Sequence, residues 1–306
     1  MRIGIIGDLH IAPIPEKRID DYFETGKNKI EQIAQNCDAV IHLGDVFTHS
    51  KVEEKYVYDL ITHLRYCSNK YGTHFYSIVG NHDVLSEDES NLHNSSLGLL
   101  SICGAITLIL PNQPLVLDNY MFNTIPVNFE KAKKALSPAP QTGHHQVLLL
   151  HHLYETGTEC FTYENLRTLG YKSVFLGHDH KPLEQGRIIY PEFTVYRSGS
   201  TMRNRAEDYN FTRCMYYYVL ENNNVSCQVI NCRPAQEVFK VEALTRQAYK
   251  KEQFIESLNN VIDKYQNNIS KQQRFSLYTI LQELMAPQRV IEGIRKKYEN
   301  RQESFY

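Results

Sequence analysis

Residues 75–83 read Phe-Tyr-Ser-Ile-Val-Gly-Asn-His-Asp. An apolar run of strand length stops at a glycine and is followed at once by an amide, an imidazole and a carboxylate. Four other runs close in a related way. Ile3–Ile6 leads into Gly7-Asp8-Leu9-His10, Ala39–Leu43 into Gly44-Asp45, Val147–Leu150 into His151-His152, and Val174–Leu176 into Gly177-His178-Asp179-His180. Continuous apolar runs of this length suit strands buried on both faces. Helix-compatible segments at 26–36 and 52–71 separate the first three, so the pattern predicts an α/β layered fold.

The placement of the polar residues has a physical logic. In extended chain, residues i and i+2 point to the same side, so Asp8 and His10 can reach one ion together, and His178 and His180 share a side. In an α/β sheet the C-terminal strand ends line up along one edge, where loops converge on a ligand. The donors are imidazole, carboxylate and amide oxygen, without thiolate. That set suits Mn²⁺, Fe²⁺ or Zn²⁺ and argues against a structural zinc cage. Two ions about 3.5–4 Å apart need a bridging carboxylate. Asp45 is the candidate, standing alone at a strand end between the two groups.

The series resembles the calcineurin-like metallophosphoesterases, whose pattern is D-x-H, GD, GNH[DE], H and GHxH, and the likeness runs over residues 1–200. The resemblance implies a four-layer metallophosphoesterase fold, with two facing mixed β-sheets flanked by helices. It implies one metal held by Asp8, His10 and His180, a second held by Asn81, His151 and His178, and Asp45 between them. The expected cofactor is two divalent ions, foremost Mn²⁺. His82 would be the catalytic histidine, protonating the leaving oxygen or holding the phosphate, with Asp83 orienting it as a hydrogen-bond partner. Of the two adjacent histidines His151 is favoured as the ligand, because it directly follows the strand; His152 would support it or exchange roles with it.

Within that superfamily the chain resembles the SbcD-type DNA exonuclease subunits. Its motif is GNHD where serine/threonine phosphatases have GNHE. Tyr196-Arg197-Ser198-Gly199-Ser200-Thr201-Met202-Arg203 resembles the strand-then-GS segment of those nucleases; read alone, it is a Gly-Ser turn with exposed arginines. The implied function is phosphodiester hydrolysis at DNA ends, in repair or recombination, beside an SMC-like coiled-coil ATPase of the SbcC type, and a homodimer is open as well. Thr48 stands three residues after Asp45, where the nucleases carry a polar residue. His49 and Arg203 are candidate phosphate or DNA contacts. His42 and His63 read as structural, and His144-His145 as solvated loop. The other readings are a small-molecule or nucleotide phosphodiesterase or phosphatase of the same superfamily, and a binding subunit that keeps the fold.

Composition sets the frame. Of 306 residues 42% are hydrophobic and 22% charged, enough for a sizeable core. The formal charge of −2 is not that of a protein that grips nucleic acid unaided. Seven cysteines without a CxxC pair suit a reducing compartment, and the apolar stretch Leu97–Leu110 is too short to span a bilayer. A cytoplasmic protein without membrane contact is expected. Ile188–Tyr190, Thr194–Tyr196, Met215–Leu220 and Val225–Ile230 predict a second, mostly antiparallel sheet, with Glu221-Asn222-Asn223-Asn224 as a turn. Residues 1–233 are expected to form the phosphoesterase domain. Residues 234–306 are expected to form a C-terminal helical appendage with apolar stripes at Phe254, Leu258 and Val261, Tyr278, Leu281 and Met285, and Val290, Ile294 and Tyr298, offered to a partner. The tail carries 12 Lys+Arg and 9 Asp+Glu, a net +3, so the remaining 21 and 26 leave residues 1–233 at −5.

Overall fold

The computed structural model describes residues 1–12, 18–155, 157, 159–183, 186–202, 214–231 and 233–240. The chain divides into two compact units, Met1–Lys240 and Val241–Tyr306. The second unit, and with it the expected apolar stripes of the tail, lies outside the described residues. The first continues past 233 because Phe239 is buried and the Arg18 guanidinium lies over its ring.

Among the described residues fourteen strands run in chain order as β1 Ile3–Ile6, β2 Ala39–His42, β3 His74–Ser77, β4 Thr107–Leu108, β5 Leu115–Leu117, β6 Tyr120–Thr124, β7 His145–Leu150, β8 Leu153–Tyr154, β9 Cys160–Phe161, β10 Ser173–Leu176, β11 Arg187–Ile189, β12 Thr194–Tyr196, β13 Cys214–Glu221 and β14 Asn224–Asn231. They form two six-stranded mixed sheets, β14-β13-β1-β2-β3-β4 and β11-β12-β10-β7-β6-β5, and the small pair β8-β9. Among the described residues, the expected strands over 186–232 do not form a separate antiparallel sheet. β11 and β12 extend the second sheet beside β10, whereas the β13–β14 hairpin adds to the edge of the first sheet, antiparallel to β1. Its turn falls where expected, with Asn222 and Asn223 at φ 50° and 63°, the left-handed geometry of a tight hairpin.

Side-chain alternation builds four layers. Ile3, Ile5, Ala39 and Ile41 of the first sheet meet Tyr120, Phe122, Val147, Leu149 and Phe175 of the second in a shared core. The alternate residues, Ile6 and Val40, turn outward onto helices α1 (Tyr22–Ala34) and α2 (Glu54–Tyr71). Helix α1 opens at Asp21, whose carboxylate accepts the Glu24 N–H. It buries Phe23, Ile30, Ile33 and Ala34, the 3.6-residue stripe of one face. On the other side Leu148, Leu150, Val174 and Leu176 pack under Ala132, Phe161 and Leu166. No helix among the described residues is long and apolar enough to cross a membrane.

One feature of the topology positions the site. β1, β2 and β3 pair in parallel, as do β7, β10 and β12, so the C-terminal ends within each set lie at the same sheet edge.

Candidate metal centre

The loops leaving these strand ends are tied to one another through the backbone. Leu9 and His10 N–H groups both donate to the Asp45 carbonyl, at 3.1 and 2.9 Å, and Ile11 N–H donates to the Val46 carbonyl at 2.8 Å. The Gly80 backbone presses so close that a Cβ there would lie 2.2 Å from the Asp45 nitrogen; only glycine fits. Three non-glycine residues, His10, Asp45 and His178, adopt left-handed backbone at φ 51°, 53° and 74°. Such conformations cost on the order of 1–3 kcal/mol each and persist where packing enforces them, commonly at functional sites.

These loops bring the donors into two clusters that meet at one carboxylate. Asp8, His10 and His180 form the first, with His10 Nε2 and His180 Nε2 2.8 Å apart. Asp45, His151 and His178 form the second. There Asn81 Oδ1 lies 3.0 Å from His151 Nε2 and 2.9 Å from His178 Nδ1. Asp45 Oδ2 stands 3.5 Å from His10 Nε2 and 3.3 Å from His151 Nε2, facing both. His151 Nδ1–H donates to the Leu43 carbonyl at 2.7 Å, leaving Nε2 to face the site.

The electrostatics fit a cation. Asp8 Oδ2 and His10 Nδ1 are buried without a hydrogen-bond partner among the described residues. Burial pushes the Asp8 carboxyl up to about 8, with Asp45 and Asp83 adding to the rise and His151 opposing it. Burial also holds His178 near 3, helped by His151, and lowers His10 well below the usual imidazole range, so both rings offer lone pairs. Burial disfavours charge on Asp45 and His151 as well, but their mutual attraction wins. It lifts His151 to about 10 and holds Asp45 below the usual carboxylate range. In the absence of a cation, a protonated His151 supplies the positive charge that Asp45 requires. The residues present therefore fit two divalent ions, held by Asp8, His10 and His180 on one side, and Asn81, His151 and His178 on the other, with Asp45 between.

Other expected residues fall elsewhere. Asp83 does not orient His82. Its carboxylate is fully buried and accepts three backbone N–H groups, from Asp45 at 2.8 Å, Gly80 at 3.0 Å and Phe47 at 3.3 Å. It knits the two loops together instead, and burial beside Asp45 raises it to about 7. The partner of His82 is the Thr48 carbonyl, which accepts Nδ1–H at 2.7 Å. The Thr48 hydroxyl turns away to the His10 and Ile11 carbonyls. The His82 ring meets His10 edge-on at 5.0 Å between centroids, and His10, Asp45 and His82 also make a trio close enough to share an ion.

His152 does not exchange roles with His151. Its Nε2–H donates to the Pro126 carbonyl at 2.8 Å, and its ring packs edge-on against Phe129 and Phe161. His49 is exposed, its ring centre 6.5 Å from that of His82. Arg203 lies outside the described residues. His42 is buried among apolar side chains and His63 Nε2 donates to the Lys27 carbonyl. His145 is not loop: it opens β7, its Nε2 3.0 Å from Ser173 Oγ. Tyr196–Met202 is not an exposed turn either, since every residue in it is buried. Sequence reasoning missed Lys29, whose ammonium donates to the Thr201 carbonyl at 2.7 Å; a lysine on a helix gave no signal.

Residues 1–182 match the family model for calcineurin-like phosphoesterases. No curated protein matches the chain. Among solved structures, a dimetal phosphatase from Danio rerio is similar at 12% identity, over 78% of this chain and 97% of that one, with a TM-score of 0.43. A double mutant of Vps29 from Entamoeba histolytica is similar at 14% identity, over 76% of this chain and 100% of that one, with a TM-score of 0.31.

Proposed function

This chain belongs to the calcineurin-like phosphoesterase family and is a metal-dependent phosphoesterase, and we propose that its substrate is the phosphodiester at DNA ends. The observation that carries the hydrolytic reading is Asp45 Oδ2 facing His10 Nε2 at 3.5 Å and His151 Nε2 at 3.3 Å, one carboxylate shared by two donor clusters. Two divalent ions, in this reading Mn²⁺, held by Asp8, His10 and His180 and by Asn81, His151 and His178, would supply an acidified water and offset charge on the phosphate. The protein supplies the rest. His82, its Nδ1–H fixed on the Thr48 carbonyl, presents Nε2 to donate a proton to the leaving oxygen. Asp83 keeps the Gly80 and Asp45 backbones in place, so that Asn81 and Asp45 hold their orientation. The likeness of Tyr196–Arg203 to the SbcD-type strand-then-GS segment and the GNHD motif at 80–83 support the nuclease reading. In this reading an SbcC-type coiled-coil ATPase supplies most of the affinity for DNA, and the unpaired cysteines suit the cytoplasm.

A second reading draws on charge. Residues 1–233 carry −5, an unfavourable surface for a polyanion and no obstacle to a small phosphodiester. One assay separates the two. With Mn²⁺, and not after chelation, the protein is expected to hydrolyse bis(p-nitrophenyl) phosphate, with Asp45→Asn more damaging than Asp8→Asn because both ions lose a ligand. Together with a coiled-coil ATPase of the SbcC type it should degrade linear duplex and spare closed circles. Hydrolysis of the small diester with no action on linear duplex in that complex would give the small-molecule reading the better claim. Undiminished turnover in Asp45→Asn would overturn the two-metal assignment itself.

A further inference from the structure

β12 stops at Tyr196 and leads into Arg197-Ser198-Gly199-Ser200-Thr201, a buried segment that contributes no ligand to the metal centre. It is bonded to both loops of the Asp8–His10–His180 cluster. Thr201 N–H donates to the Asp8 carbonyl at 2.7 Å and the Thr201 hydroxyl to the Gly7 carbonyl at 3.0 Å, while the Ser200 hydroxyl lies 3.1 Å from the Asp8 carbonyl and 2.6 Å from that of Met202. On the other side Ser200 N–H donates to the His180 carbonyl at 3.1 Å. A Cβ on Gly199 would lie 2.6 Å from the His180 carbonyl oxygen, and its φ is +74°, so the approach requires glycine.

Arg197 supplies the charged anchor. Its side chain is 9% exposed, and its Nη1 lies 2.8 Å from Oδ2 of Asp179, the residue between His178 and His180. The other Asp179 oxygen accepts the Lys181 N–H at 3.0 Å, completing the loop. Arg197 Nε has no hydrogen-bond partner among the described residues, and the ion pair with Asp179 compensates the buried charge. An uncompensated guanidinium beside a cation site would repel the incoming ion, and a free Asp179 would release the loop that carries His180.

We propose that Arg197 is a positioning residue for the first metal, its ion pair with Asp179 and the 198–201 segment together fixing the Asp8–His10 loop against the His180 loop. The proposal rests on the two-metal reading but not on any substrate.

Its test is direct Mn²⁺ binding by the full chain, followed by calorimetry and by the electron-paramagnetic-resonance signal of free Mn²⁺, with thermal melts in parallel. The unaltered chain should bind two ions. Arg197→Met and Asp179→Asn should each weaken one of the two steps by roughly 10- to 100-fold, the usual effect of losing an outer partner of a metal ligand. The other step should stay within about 3-fold, inside the usual context-dependence of such effects. Arg197→Lys, which keeps the charge, should recover part of the loss, and the double variant should be no weaker than Asp179→Asn alone. Equal weakening of both steps in proportion to the fall in melting temperature would make the pair a general strut and overturn the proposal. So would unchanged affinity in Asp179→Asn, whose quarter-exposed side chain folding tolerates. An unaltered chain that binds no Mn²⁺ would instead defeat the two-metal reading.

Discussion

Chelation should make the stability of this protein fall as pH rises from 7 to 8. In the metal-free centre burial holds Asp8 at about 8, and Asp45 lifts His151 to about 10 against burial; their ordinary values are 3.8 and 6.5. Both folded values are raised, so each contribution is complete below the unfolded value and disappears as pH passes through the folded one. For Asp8 that window runs from about 4 to 8, and for His151 from about 6.5 to 10. Between pH 7 and 8 these two groups together therefore hold about 1.5 more protons in the folded chain than in the unfolded one. At about 1.4 kcal/mol per proton per pH unit, this is a loss on the order of 2 kcal/mol. Divalent ions replace those protons, keeping Asp8 ionised and His151 neutral, so the loaded protein should lack the slope. Melts in chelator at pH 7 and 8 should differ by roughly 4–8 °C, given 2–4 °C per kcal/mol for domains of this size. Mn²⁺-saturated samples should differ far less. A chelated protein whose melting temperature stays level or rises over this interval would refute the protonation states assigned to Asp8 and His151.

His82→Ala should leave two Mn²⁺ bound while turnover on bis(p-nitrophenyl) phosphate falls by roughly 10²–10⁴, the worth of a positioned acid. A drop to one bound ion would make His82 a ligand, as its place beside His10 and Asp45 allows. Asp83→Asn should destabilise the fold by about 1–3 kcal/mol in denaturant, because one amide oxygen can keep the Asp45 and Gly80 donors but not that of Phe47. Unchanged stability with a displaced pH optimum would return Asp83 to the role of orienting His82.

The parallel strands β1 and β2 were legible because they are buried on both faces. Ile3–Ile6 and Ala39–His42 present apolar side chains to the opposite sheet and to the helices alike, so their sequences leave no competing polar pattern. The later strands were legible singly and not as a sheet. The Asn222-Asn223 turn marks a hairpin, yet nothing in it says that β13 pairs with β1, with Leu220 beside Ile3. Likewise β12 runs parallel to β10 whereas β11 is antiparallel to β12, and both directions come from the path of the chain between strands. Partners so far apart in sequence are chosen by the closure of the whole core, which local propensity does not record.

The same division runs through the metal centre. The clustering of the candidate donors was legible because each follows closely on a strand, and parallel pairing then carries Asp8, Asp45 and Asn81 to one edge. What holds the ligands was not, because the groups responsible are largely backbone. Asp83 looks like a partner for its neighbour His82, yet its two oxygens are taken by three N–H groups of other loops. The left-handed turn at Asp45 redirects the chain so that the Thr48 carbonyl reaches His82 Nδ1, and any residue type at 48 would offer that carbonyl. The choice has a chemical consequence. A carbonyl only accepts, so the Nδ1 proton is fixed and Nε2 is the atom left to face the substrate oxygen. The orientation of the proposed acid is thus set by the fold of the Asp45–Thr48 loop, and that loop is held in turn by Asp83.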